Sequence, residues 1–378
     1  MAVKSPKPEI FTRADGKENF MREAEIWMNL GEHPHIVRCY FVQMLGSIPR
    51  IFAEYVEGGS LADWIRQGQL YERGTECALE RMLDVAIQFA WGLHAAHEQG
   101  LVHQDVKPAN VMMSSDGVAK ATDFGLAKAR AVAGEGATPV QEGEKSILVS
   151  WGGMTPAYCS PEQAARRTLS RKTDIWSWAL SVLEMFVGGV TWRSGILARE
   201  VLASYTVQEP SIPIMPDEVA KLLNRCFEPQ PEQRPATMAE VAMELQAIYV
   251  RLVGSSYQRE VPKSVRIDKF TLVNQAYSLL QLGRVEEALV VCEQAIRLDP
   301  AEGRAYYNKG RALDYLGRFE EALLAYEQSI RLDPTYFKTY EDKGGILEEL
   351  GRWEEAVTTY EQAIRLDPTN ADVYYDKG

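Results

Sequence analysis

The sequence predicts an α+β domain followed by an all-α superhelix of stacked helix pairs. Two observations carry that expectation. Alternating apolar runs, "IVRCYFVQ" and "RIFAEYV", precede helical periodicity over residues 77–99 and 174–187. From Lys269 onward the chain repeats itself with a period of 34 residues, as a solenoid does when each unit buries its face against the next. At 378 residues and 46% hydrophobic content, the chain can build two or three well-buried cores.

The elements follow in chain order. "AVK" at residues 2–4 sets a small and a β-branched side chain before a lysine, as in the middle of a buried strand. The two alternating runs read as strands. The most apolar stretch, "WALSVLEMFVGGV", is short and interrupted by Glu184, so a buried core helix explains it better than a membrane span. Residues 254–268, "GSSYQREVPKSVRID", are polar with Gly, Ser and Pro and read as a linker. The first domain is therefore assigned to residues 1–253 and the repeats to 269–378.

Within the repeats, "LGRVEEAL", "LGRFEEAL" and "LGRWEEAV" begin at Leu282, Leu316 and Leu350, and "RLDP" ends at Pro300, Pro334 and Pro368. Framed on those prolines, which cannot continue a helix, the repeats run 269–302, 303–336 and 337–370, with 371–378 opening a fourth. Ala288, Ala322 and Ala356 share one position, where a small side chain lets two helices approach. Gly310 and Gly344 share another, at which the first repeat has Ala276. The pattern resembles the tetratricopeptide repeat. That resemblance implies antiparallel helix pairs and a concave groove for peptide or protein partners, lined by Tyr277, Tyr307, Arg311, Tyr315, Lys338 and Glu341, with helix packing the alternative role for the tyrosines. These residues do not match the Lys/Asn/Arg clamp that some such repeats use for a C-terminal carboxylate.

Composition narrows the function. A net charge of −12 argues against a general nucleic-acid binder, and the acidic excess is densest from Lys269 onward, with 13 basic against 20 acidic residues. Five scattered cysteines with no C-x-x-C pair exclude a disulfide framework or zinc knuckle and point to a reducing cytoplasm.

Three short strings and a fourth carry the chemistry: "HQDVKPANV" at 103–111, "DFG" at 123–125, "SPEQ" at 160–163 and "QRP" at 233–235. In this order and spacing, residues 1–250 resemble the protein-kinase family and imply a two-lobed domain using ATP and Mg²⁺. Phosphoryl transfer asks mainly for positioning and charge neutralisation. The resemblance implies that Asp105 accepts or orients the substrate hydroxyl proton, and that Asn110 and Asp123 hold Mg²⁺. It places Lys107 on the transferring phosphate, as in serine/threonine kinases, with Thr155 lining the substrate loop. Glu162 and Arg234 would form a buried ion pair. Glu54 to Val56 would hold adenine through their backbone, Met112 would floor its ring, and Ala53 would gate an enlarged pocket behind it. Lys4, on a strand with Ala2, would reach the ATP phosphates. Glu23, 19 residues later, would hold it, with Glu25 the alternative.

Two departures from the family pattern stand out. Gln104 replaces the arginine of the usual His-Arg-Asp, so activation is expected not to depend on a loop phosphate read by this residue. The loop hydroxyls Thr138, Ser146 and Ser150 are read as ordinary, with phosphorylation the alternative. No glycine-rich strand-turn-strand precedes Lys4, and the repeats stop inside a motif, so both ends read as cut. A weakly active domain serving as a scaffold is the alternative function, and retention of Lys4, Glu23, Asp105, Lys107, Asn110 and Asp123 weighs against it.

Overall fold

The computed structural model describes residues 1–6, 16–46, 48–124, 155–206, 209–263, 265 and 267–369, without the side chains of residues 16–19, 22 and 23. In chain order the elements are β1 (Ala2–Lys4), α1 (Gly16–Asn29), β2 (Cys39–Leu45), β3 (Ile48–Ala53), α2 (Leu61–Gln67), α3 (Thr75–Glu98), β4 (Val111–Met113) and β5 (Ala119–Ala121). Then come α4 (Pro161–Ala164), α5 (Arg171–Val187), α6 (Ala198–Ala203), α7 (Asp217–Cys226) and α8 (Met238–Val253). The repeats supply α9 (Lys269–Gln281), α10 (Val285–Leu298), α11 (Gly303–Tyr315), α12 (Phe319–Leu332), α13 (Phe337–Glu349) and α14 (Trp353–Leu366).

Two compact units do not follow chain order. One gathers Met1–Ala14, Cys39–Ala53 and Ile267–Gly378; the other gathers Asp15–Arg38 and Glu54–Arg266. In the first unit, β1, β3 and β2 form an antiparallel sheet in that order, so β2 is an edge strand among the described residues. Ala2 pairs with Ala53, Lys4 with Ile51, and Val42 with Ile51 from the other side. Val42 and Ile51 are fully buried, while Phe41 and Phe52 stack at 4.7 Å on the alternate face. Against β2 lies α9: Tyr277 meets Phe41 edge-on at 5.8 Å.

The repeat motif has a physical reading at each letter. Gly283, Gly317 and Gly351 take φ of +74°, +69° and +72°, the left-handed turn that glycine adopts without penalty. The arginine that follows grips the glutamate three residues on, as in Arg318–Glu321 at 2.7 Å for both bonds. Ala288, Ala322 and Ala356 are buried in the helix-pair seams. A Cβ on Gly310 would lie 2.4 Å from the Tyr326 ring, and one on Gly344 2.5 Å from Tyr360. The equivalent partner of Ala276 is the smaller Cys292, both in one core cluster, which explains why the first repeat tolerates alanine.

For two of the tyrosines the contacts favour the packing alternative. Tyr277 is spent on Phe41, and Tyr307 is 6% exposed and meets Tyr336 edge-on at 5.0 Å. Tyr315 is exposed and bonded to Arg311. Residues 371–378 lie outside the described residues.

In the second unit, α5 is the buried centre, with Ile175, Trp176, Trp178 and Leu180 at 1% exposure or less. This matches the expected core helix, and among the described residues no helix is long and apolar enough to cross a membrane. Glu184, which interrupts the apolar run in sequence, is buried with the rest of the helix. It is 6% exposed, accepts from the Tyr158 hydroxyl, and burial pushes its carboxyl up to about 7. The segment read as a linker is anchored at its start: Tyr257 donates to Asp84 at 2.6 Å, and Arg259 contacts both oxygens of the same carboxylate at 2.9 and 3.0 Å.

Candidate active site

The segment that follows α3 is hung from one carboxylate. Asp174, fully buried in the first turn of α5, accepts from the His103 N–H at 2.7 Å and the Gln104 N–H at 2.9 Å, and bonds the His97 ring at 2.8 Å. A buried carboxylate is tolerated only when so compensated. Gln104 adopts φ +68°, a left-handed backbone that costs of order 1–3 kcal/mol in a residue with a side chain. It is held there by Asp174 below and by Gln163 Nε2, which donates to its carbonyl at 2.8 Å. Gln163 is itself fixed by a capping box with Ser160 at the start of α4.

The turn delivers Asp105 into a closed triangle. Lys107 Nζ lies 2.5 Å from Asp105 Oδ2 and donates to Thr155 Oγ1 at 2.7 Å, while the Thr155 hydroxyl donates to Asp105 Oδ1 at 2.9 Å. Asn110 Nδ2 donates to the Asp105 carbonyl at 2.9 Å and to Oδ2 at 3.2 Å. The Asp105 side chain stays 11% exposed and that of Lys107 20%, so the group is held yet reachable.

Asn110 closes a turn begun by Pro108, whose fixed φ suits a helical start. The chain then forms the β4–β5 hairpin and returns, with the Thr122 N–H donating to the Asn110 carbonyl at 2.9 Å. Asp123 follows with φ +62°, and Phe124, fully buried, packs 4.7 Å from the His103 ring, which also bonds the Thr122 carbonyl at 2.9 Å. Asn110 and Asp123 thus sit at the two ends of one hairpin. Because Asn110 Nδ2 is taken by Asp105, its Oδ1 is the atom left for a cation. An amide oxygen with a carboxylate is a hard donor set that fits Mg²⁺.

Residues 54–60 are stitched to the same hairpin. The Gly58 N–H donates to the Met113 carbonyl and the Met113 N–H to the Gly59 carbonyl, both at 2.8 Å. A Cβ on Gly58 would lie 2.3 Å from that carbonyl oxygen, so only glycine permits the approach. This brings buried Val56 and partly exposed Met112 to adjoining segments. The Glu54 N–H donates to the Arg38 carbonyl at 2.8 Å, and its carboxylate pairs with Lys120.

Glu162 and Arg234 form the expected buried pair, with bonds of 2.7 and 2.9 Å and side-chain exposures of 5% and 0%. Burial pushes the Glu162 carboxyl up, but the hydrogen bonds and charge of Arg234 overcome this and hold it below the usual range. Lys4, Ala2 and Ala53 belong to the other unit, where Ala53 is 3% exposed and paired with Ala2. Glu23 falls within α1, but its side chain lies outside the described residues, as do Gly125, Thr138, Ser146 and Ser150.

Sequence reasoning missed Asp174, His97 and Gln163. Asp174 sits in "TDIWSW" with no spacing to mark it, and only the fold brings it beneath residues 103 and 104.

Residues 1–245 match the model of the protein tyrosine and serine/threonine kinase family, and residues 273–337 and 344–378 match tetratricopeptide-repeat models. A probable serine/threonine-protein kinase of Clostridium acetobutylicum is 31% identical over 252 residues, covering 65% of this chain and 35% of the relative. A probable serine/threonine-protein kinase of Clostridium perfringens is 30% identical, covering 66% and 34%. A tyrosine-protein kinase of Spongilla lacustris is 26% identical, covering 70% and 73%. The chain therefore spans about a third of the length of its clostridial relatives. With its ordered motifs, its Asp105–Lys107–Asn110 cluster and a family match over residues 1–245, the chain belongs to the protein kinase family and carries tetratricopeptide repeats after the kinase domain.

Proposed function

We propose that the chain is a serine/threonine protein kinase that moves the γ-phosphoryl group of ATP to protein hydroxyls, acts in the cytoplasm, and recruits protein partners through its repeats. The observation that carries the reading is the triangle of Asp105, Lys107 and Thr155. Asp105 takes the proton of an incoming Ser or Thr hydroxyl, and about one of its lone-pair sites, on Oδ1, remains for that contact beyond those used by Lys107, Asn110 and Thr155. The Lys107 ammonium neutralises charge that develops on the transferring group. Asn110 and Asp123 hold Mg²⁺, which when bound supplies charge neutralisation on the phosphate oxygens. Adenine is assigned to the backbone of Glu54 to Val56 with Met112 as its floor, the gate to Ala53, and the α/β-phosphates to Lys4 on the strand with Ala2, its acidic partner being Glu23 with Glu25 the alternative. The five cysteines are free thiols, which suits a reducing compartment.

Transfer from labelled ATP with Mg²⁺, followed by identification of the phosphorylated amino acid, tests this. Phosphoserine or phosphothreonine is expected, with Asp105→Asn lowering the rate by about 10²–10⁴-fold and Lys4→Met weakening ATP use. Equal signal from wild type and both variants, or phosphotyrosine alone, rejects the reading.

A further inference from the structure

The first repeat departs from its successors at a further buried position. Ser278 occupies the place held by Ala312 and Ile346 in the second and third repeats, and all three are 2% exposed or less. Apolar residues there seal one repeat against the next. A serine in the same place requires a polar partner.

That partner is the sheet. The Val42 N–H in edge strand β2 donates to Ser278 Oγ at 2.8 Å, and the Ser278 hydroxyl donates in turn to the Asn274 carbonyl at 2.7 Å. One turn further on, Gln281 Oε1 accepts from the Met44 N–H at 3.4 Å. Val42 and Met44 are alternate residues, so both N–H groups leave the strand on the side away from β3. Tyr277 completes the seat by packing edge-on against Phe41. The opposite side of α9, with Leu272, Ala276 and Leu279, belongs to the repeat core. One helix therefore serves two cores. It caps the free backbone groups of an edge strand, which are otherwise a liability in water, and it founds the repeat stack.

We propose that α9 is a working part of the sheet that carries Lys4, with Ser278 a positioning residue that couples the repeats to nucleotide binding. The coupling rests on the kinase reading above, in which Lys4 takes the ATP phosphates. Lys4 pairs with Ile51 and Ile51 with Val42, so three adjacent strands separate the phosphate-binding lysine from Ser278 by two backbone pairings. By linkage, nucleotide that favours an ordered sheet also tightens α9, and loss of the α9 contacts weakens nucleotide binding by the same factor.

The test is Ser278→Ala in the full chain, with Ser278→Thr to restore the hydroxyl. Alanine stands at this position in the second repeat, so the repeat fold accepts it. Hydrogen exchange at the Val42 and Met44 amides is expected to quicken about tenfold, with α11–α14 unchanged. Binding of Mg·ADP is expected to weaken by about three- to tenfold, and the threonine variant to recover both. Mg·ADP added to wild type should slow exchange in α9. Unchanged exchange at Val42, or faster exchange there with unaltered Mg·ADP affinity, overturns the proposal. So does loosening that spreads through α11–α14. If wild type binds no nucleotide, the kinase reading fails instead, and the exchange arm still reports on the α9 contact.

Discussion

The glycine–tyrosine pairs of the repeats give a prediction that can be worked from geometry. A methyl on Gly310 would sit 2.4 and 2.5 Å from two ring carbons of Tyr326, where ordinary carbon contacts lie at about 3.5–4.0 Å. Tyr326 is fully buried and has no room to swing. Overlap of about 1 Å in a packed seam costs about 3 kcal/mol, the upper end for overpacking. The helix propensity of alanine over glycine returns about 1 kcal/mol, so Gly310→Ala is expected to destabilise by about 2 kcal/mol. Tyr326→Cys alone leaves a cavity and costs about 3–5 kcal/mol. With both changes the second repeat carries the Ala276/Cys292 pair of the first, and the alanine then gains its propensity without a clash. The double-mutant coupling is therefore about 2–3 kcal/mol in the favourable direction. Native-state hydrogen exchange of α11 and α12 amides in the full chain measures each opening free energy. If Gly310→Ala is equally destabilising in the wild-type and Tyr326→Cys backgrounds, the steric reasoning is wrong.

Three further outcomes follow from named contacts. Glu162→Gln leaves the fully buried Arg234 guanidinium without its charge partner and should cost about 3–5 kcal/mol in urea unfolding, whereas Glu162→Leu with Arg234→Met should recover much of it; a loss below about 1 kcal/mol would count against the pair's role. His33 and His35 are held neutral, chiefly by burial, with pKa values lowered to about 3 and about 4, so stability present above pH 6.5 is lost as pH falls. From pH 7 to 5 that loss is about 2 kcal/mol for each histidine. Glu184, raised to about 7 by burial, acts in the opposite sense: its stabilisation is full below its unfolded value and fades as pH rises through 7. It offsets about 2 kcal/mol over the same interval, so Glu184→Gln should steepen the acid loss by that amount in paired urea titrations at pH 7 and 5; parallel pH profiles would refute the assignment. Ala53→Met should reduce use or binding of bulky N6-substituted ATP analogues relative to wild type, read by competition with ATP, and equal use would show that Ala53 does not gate the adenine pocket.

Much of the candidate site is legible in the sequence because the residues proposed to act in it sit close together along the chain. Asp105, Lys107 and Asn110 lie within one short loop, and their mutual contacts are local consequences of its turns. The repeats are legible because their packing is periodic. What stays hidden depends on residues far apart in the chain. Ser278 looks like any polar residue of an amphipathic helix until Val42, 236 positions earlier, is placed beside it. Tyr257 and Arg259 sit in a stretch whose Gly, Ser and Pro content signals flexibility, yet one carboxylate on α3 fixes both. Tyr307 passes for a groove residue because aromatic side chains suit both binding and packing, and only its 6% exposure separates the two.

The suspension of residues 103 and 104 from Asp174 also sets an order of events during synthesis. The loop bearing Asp105 leaves the ribosome about 70 residues before the carboxylate that holds it. At about 5–20 residues per second, the strained turn at Gln104 must wait roughly 4–14 s for its anchor. Through that interval the His103 and Gln104 N–H groups lack the carboxylate that accepts from them in the folded unit. The loop bearing Asp105 thus cannot take its folded form until α5 has emerged, although the rest of its own turn is already in place.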